Sequence, residues 1–135
     1  MPEIAALIRA LAAYERLEHE VVFAVDDLRA ALFSPEAVAY AAVADDNGSV
    51  AGFALWYRTF STFSGRPGIW LEDLFVRSEC RGRGHGTALL RHVRSITDGR
   101  VEWAVLDRNT PSIELYESLG ARAVDGWTRY RWPPP

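Results

Sequence analysis

A single cysteine, Cys80, is all the thiol this chain carries, so no disulfide can close within it and a reducing, cytoplasmic setting is expected. No apolar run approaches the roughly 18 residues that a membrane-spanning helix requires. The opening residues, Met-Pro-Glu-Ile-Ala-Ala, lack the basic stretch and long apolar segment of a secretory signal. Neither export nor a membrane partner is expected. Positive charge is scarce as well: 15 Lys and Arg against 18 Asp and Glu leave a net charge of -3. That balance gives no diffuse basic field for nucleic acid, so any anion site must be local. His19, His85 and His92 show no metal-ligand spacing and no accompanying carboxylate cluster, and no metal is assigned.

What is present describes an ordinary folding chain. Its 135 residues, 49% hydrophobic and 24% charged, suffice for one core and are too few for two. One domain over residues 1–132 is expected, followed by the proline tail 133–135. Ile4, Leu7, Ile8, Leu11 and Tyr14 recur at helical spacing and predict a first helix to about Leu17. Asp26 reads as the N-cap of a short second helix that stops before Pro35. Two apolar runs, Val38–Ala44 and Val50–Phe60, flank Asp45-Asp46-Asn47-Gly48; Asn-Gly supplies the positive φ angles of a tight hairpin turn. A loop over Ser61–Gly68 then leads to a third strand, Ile69–Val76. The next elements read as a glycine-rich loop, a helix to Ile96 and a buried parallel strand, Val101–Leu106, together a βαβ unit. A helix beginning at Pro111 and ending at Gly120, and a last strand over Arg122–Trp132, complete the prediction.

The strongest local signal is Arg81-Gly82-Arg83-Gly84-His85-Gly86. Three glycines at alternate positions let backbone amides converge where a helix begins, which is how phosphate is held, and two arginines beside them add to anion binding. The spacing is not GxGxxG and no Walker A lysine follows, so neither a dinucleotide fold nor a P-loop is indicated. Alone the loop reads equally well as a turn. Glu72 is a second signal, because a carboxylate inside the apolar run Ile69–Val76 needs a reason to be there. Cys80 reads as a bystander.

The wider set is more specific. Leu71-Glu72-Asp73-Leu74-Phe75-Val76 precedes the loop; Asn109-Thr110-Pro111-Ser112 and Tyr116-Glu117-Ser118-Leu119-Gly120-Ala121 follow it. Together they resemble the acetyl-CoA site of GNAT acetyltransferases. The stretch Phe60–Val76 resembles the diamine (spermidine/spermine and thialysine) branch, and the likeness runs over about residues 1–132. The resemblance implies the α/β (α+β) GNAT fold, with a mixed, mostly antiparallel sheet, helices on both faces and a βαβ acetyl-CoA-binding core. It also implies direct acetyl transfer from acetyl-CoA to a small-molecule primary amine by a homodimer. Backbone groups of Leu74, Phe75 and Val76 would hold the acetyl carbonyl and pantetheine arm. Amides of Arg81, Gly82, Arg83, Gly84, His85 and Gly86 would hold the pyrophosphate, with Asn109 and Ser112 completing that pocket. Tyr116 would protonate the leaving thiolate, and Glu72 would take the ammonium proton. Tyr14, Glu15, Glu72, Glu102, Trp103 and Asp125 would line the amine mouth, although Glu15 equally suits a solvated helix face. Relative to the family, no strand precedes the first helix, and the helix after Gly86 is about two turns short. Protein or peptide acetylation and silent acyl-CoA binding stand as alternatives.

Overall fold

The structure is a computed structural model and describes residues 2–135. Backbone contacts divide the chain into two compact units, one through Ala104 and one from Val105 to Pro135.

In the first unit α1 spans Pro2–Tyr14, α2 Val25–Phe33, and the strands are β1 Tyr40–Asp46, β2 Ser49–Ser61, β3 Arg66–Val76 and β4 Val101–Glu102, with α3 His85–Ser95 between the last two. Helix α1 ends sooner than its apolar spacing predicts. Arg16 takes φ 59° and the amides of Arg16 and Leu17 bond back to the carbonyls of Ala13 and Ala12, a left-handed C-terminal cap that stops the helix. Helix α2 is capped at Ala24 rather than Asp26. The carboxylate of Asp27, three residues on, accepts the Ala24 amide at 2.9 Å, so the helix starts earlier than a side-chain N-cap at Asp26 would put it.

The hairpin forms at the predicted turn: Asn47 and Gly48 have φ 54° and 89°, and β1 and β2 pair antiparallel from Asp46↔Ser49 to Tyr40↔Trp56. Strands β2 and β3 form a second antiparallel ladder, Ser61↔Arg66 to Gly52↔Val76, and half of the predicted Ser61–Gly68 loop is recruited into it. Gly65 at φ 67° makes that tighter turn possible. The chain then crosses through α3 to β4, which lies parallel to β3, so the sheet order is β1-β2-β3-β4 and the βαβ unit is present.

Helices cover both faces. On one, Ile4 and Leu7 of α1 share a core with Ala39, Phe53, Leu55 and Phe75. On the other, α3 buries Leu89, Leu90 and Val93, and its His92 meets the Trp56 ring edge-on at 6.0 Å. Phe53 and Leu7 are wholly enclosed; each contributes about 1.5–3 kcal/mol of burial, and Phe53→Ala would cost about 3–5 kcal/mol.

Strand β4 is shorter than predicted, because ladder pairing ends at Trp70↔Glu102 and the apolar run after it leaves β3. In the second unit α4 spans Thr110–Ser118, with Pro111 in its first turn as predicted. Gly120 at φ 98° closes it: the amides of Gly120 and Ala121 return to the carbonyls of Glu117 and Tyr116. The predicted strand over Arg122–Trp132 does not form. An extended stretch becomes a strand only through ladder partners, and these residues, exposed and broken by Gly126 at φ 87°, have none in the sheet.

Candidate functional site

Strand β3 carries the first part of the site. Its ladder with β2 contains a bulge: Leu55 faces Asp73 while the next residue, Trp56, faces Leu71, which leaves Glu72 as the extra residue. Asp73 shares a sheet face with Leu55, the face that α1 covers. The bulge re-aims Glu72, so two adjacent carboxylates act on each other rather than on opposite faces. Glu72 is exposed and Asp73 half-buried. Burial pushes the Asp73 carboxyl up from 3.8 to about 7, and the charges of Glu72 and then Glu15, just past the end of α1, add to the effect. Three carboxylates from two elements therefore share one field. Asp73 is the residue that sequence reasoning passed over; the signal available was the adjacency of two acids within an apolar strand, which strict alternation does not explain.

Tyr14, at the last position of α1, packs its ring 6.3 Å from that of Phe75. The predicted amine-mouth residues Tyr14, Glu15 and Glu72 thus belong to one neighbourhood with Asp73 and Phe75. Glu102 lies on β4 opposite Trp70 and pairs with Arg100 at 3.8 Å; half-buried Trp103 follows it. Asp125 is exposed on the irregular stretch of the second unit.

The second part lies where β3 runs out. Because β4 pairs only with Ile69 and Trp70, the β3 edge from Leu71 to Val76, Leu74, Phe75 and Val76 included, has β2 on one side and no strand on the other among the described residues. An open strand edge offers alternating N–H and C=O groups to an extended ligand. After Val76 comes a short 3₁₀ turn, Ser78–Cys80, and then the glycine loop. Gly82 and Gly84 take φ 80° and 85°, which is why glycine stands there. Gly86 does not; a Cβ at that position would meet Val76 Cγ2 at 3.8 Å, ordinary contact. Gly84 is the N-cap of α3 and has no side chain to cap with. The amides of the first turn, His85 to Thr87, have no carbonyl four residues back, and a positive helix end opens onto the loop. This geometry fits a phosphate held by main-chain donors.

The loop side chains are tied elsewhere. Arg83 ion-pairs with Asp46 at the end of β1, and His85 Nε2 lies 3.4 Å from the same carboxylate. The Arg83 hydrogen bond and then the nearby His85 ring hold the Asp46 carboxyl below the usual carboxylate range. Arg81 donates from Nε to the Val76 carbonyl at 3.0 Å. In the second unit, Asn109 is the N-cap of α4 and its Oδ1 accepts the Ser112 amide at 3.4 Å; half-buried Tyr116 stands two turns along. No group of three or more His, Cys, Asp or Glu suited to a metal ion occurs among the described residues, nor a helix long and apolar enough to cross a membrane.

A mixed sheet whose open strand edge leads through a glycine loop into a helix N-terminus suits an extended ligand that ends in phosphate. Comparison with protein families matches residues 5–121 to the Acetyltransferase (GNAT) family, and the chain belongs to it. Among curated proteins it is similar to thialysine N-epsilon-acetyltransferase of Sus scrofa, 33% identical over 144 residues, covering 96% of this chain and 84% of that one. The Mus musculus enzyme of the same name is also 33% identical, over 96% and 85%. A spermidine/spermine N(1)-acetyltransferase-like protein of Homo sapiens is 28% identical, over 97% of this chain and 21% of that protein. Among solved structures, an integron cassette protein from the mobile metagenome of V. cholerae superposes with a TM-score of 0.77 at 24% identity, over 97% and 84% of the two chains. This chain is thus an acetyl-transferring enzyme of the amine N-acetyltransferase class, in a family whose acetyl donor is acetyl-CoA.

Proposed function

We propose that this enzyme moves the acetyl group of acetyl-CoA directly to a primary amine of a small polyamine or diamine-like substrate, with residues 1–132 acting as one domain. The observation that carries the reading is the carboxylate trio of Glu15, just past α1, with Glu72 and Asp73 on the strand whose open edge runs into the phosphate-type loop. An ammonium ion is drawn to such a field, and a second ammonium on the same flexible molecule finds a further carboxylate nearby. Named relatives that act on thialysine support the same substrate class.

Acetyl-CoA supplies a thioester carbonyl open to attack. Glu72, exposed at the bulge, takes the proton that the ammonium must lose before its nitrogen can attack. Open-edge groups of Leu74 to Val76 hold the thioester end, and amides of Arg81 to Gly86 hold the diphosphate. Tyr14, Glu102 and Trp103 line the amine mouth; for the second unit the family resemblance alone assigns Asn109 and Ser112 to cofactor binding, Tyr116 to protonating the departing sulfur and Asp125 to the amine. Cys80 takes no part. Most of the rate comes from holding amine and thioester together. The same reading makes the enzyme a cytoplasmic homodimer, for which exposed Trp127, Tyr130 and Trp132 supply apolar area.

The test is titration with acetyl-CoA followed by thiol release on adding spermidine, thialysine, lysine and a lysine-bearing peptide in competition. Release with the diamines above the peptide supports the reading. Preference for the peptide moves the substrate to proteins, and binding without release for any amine overturns the catalytic assignment.

A further inference from the structure

The glycine-loop arginines read from sequence as anion ligands, yet the Arg81 side chain faces the other half of the site. Its Nε donates to the Val76 carbonyl at 3.0 Å. Its guanidinium carbon lies 4.9 Å from the centre of the Tyr14 ring and 5.5 Å from that of Phe75. These distances fall within cation–π range for both rings. Three elements meet there: the last residue of α1, strand β3 and the first residue of the loop. Tyr14 is 47% exposed and α1 stops at it. Packing into the core therefore fixes Tyr14 less than it fixes Leu7 or Phe53, and a planar cation laid on its ring has leverage over where it stands.

We propose that Arg81 is a positioning residue for the amine site, acting through Tyr14: it holds the end of α1, and with it Tyr14 and Glu15, against the Glu72–Asp73 side of β3. This rests on the amine-acetylating reading above. The chemistry of the contact supports the direction of action. Stacked on two rings and bonded to a carbonyl, the guanidinium ties the cofactor loop to the helix that borders the amine. Changes at the loop then register in amine affinity.

A double-mutant cycle at saturating acetyl-CoA tests it, using Arg81→Gln, Tyr14→Leu and the pair, with KM for spermidine or thialysine as the readout and acetyl-CoA Kd measured separately. Each single change is expected to raise amine KM about 2- to 5-fold, the range of an exposed cation–π contact. The pair should be no worse than the larger single, Tyr14→Leu should leave acetyl-CoA Kd within about twofold, and Arg81→Lys should recover part of the loss. Effects that multiply in the pair overturn the proposal, as does an Arg81→Gln effect confined to acetyl-CoA. Should Arg81→Gln fail to fold, the ring-shifted Nε–H resonance of Arg81 decides the matter in otherwise intact protein: Tyr14→Leu must move it and raise amine KM together, and an unmoved resonance overturns the contact. Wild-type protein that acetylates no amine refutes the functional reading instead, and the resonance still reports on Arg81.

Discussion

Asp73→Asn replaces a carboxyl whose proton affinity the fold has raised with an isostere that has no proton to lose. The native state holds that proton more tightly than the unfolded chain, with a folded value of about 7 against 3.8. Stability therefore falls as pH rises between those values: the penalty is absent below about pH 4 and fully present above about pH 7. About three units at about 1.4 kcal/mol each set a ceiling of about 4 kcal/mol. Asp73 is only half-buried, solvent screens part of the effect, and about 2 kcal/mol is the expected size. For 135 residues at about 2.1 cal/mol/K each, that corresponds to about 7 °C in Tm. Thermal melts of both proteins by circular dichroism at pH 4.5 and pH 8 give the measurement. The two should melt close together at pH 4.5, and Asp73→Asn should melt about 7 °C higher at pH 8. Taking the difference between proteins at each pH removes titrations that both share. A difference that does not change with pH, or an asparagine variant less stable at pH 8, would refute both the placement of Asp73 and the interaction of the three carboxylates.

Three further outcomes follow from the site. Glu72→Gln should lower kcat/KM for the amine at pH 7 by about 100-fold or more and move the activity to higher pH, where the amine loses its proton unaided; an unchanged pH profile removes Glu72 from the base role. Tyr116→Phe should lower kcat about 10- to 100-fold and leave acetyl-CoA affinity within about twofold in calorimetry, and equal turnover removes the acid role. Gly84→Ala forces a Cβ onto a residue at φ 85°, a strain of about 1–2 kcal/mol. It should weaken acetyl-CoA binding and lower Tm by about 4–7 °C, whereas binding of wild-type strength would show that the loop conformation is not what holds the phosphates.

What was legible in the sequence was local. Asn47-Gly48, Gly82 and Gly84 each satisfy a backbone requirement that the residue itself announces, and the hairpin and the loop-to-helix junction stand where those residues put them. The apolar faces of α1 and α3 were legible for the same reason, since the spacing is in the chain. What was not legible depends on a partner. The bulge at Glu72 exists only against β2, and it brings Asp73 into the site by breaking the period of two that a strand reading assumes. Pairing likewise decides where β4 stops. Val101–Leu106 is apolar but for Glu102, yet only the two residues opposite Ile69 and Trp70 complete a ladder.

That early stop matters to the chemistry. Were β4 paired along its whole predicted length in the same register, Val101–Leu106 would cover Ile69–Leu74 and shorten the open β3 edge to its last two residues. The same strand must also present carboxylates to a cation a few residues from where a polyanion is to be held, two requirements that oppose each other across a short distance. The fold reconciles them by the kind of donor it uses. On the proposed reading the anion end relies on backbone amides at the start of α3, dipoles that do not neutralise Glu72 or Asp73, and the loop arginines are committed to Asp46 and to the Tyr14 and Phe75 rings. On that proposed reading, a chain of net negative charge holds the most highly charged part of acetyl-CoA and still attracts an ammonium ion, because main-chain donors at the anion end leave the charge of Glu72 in place.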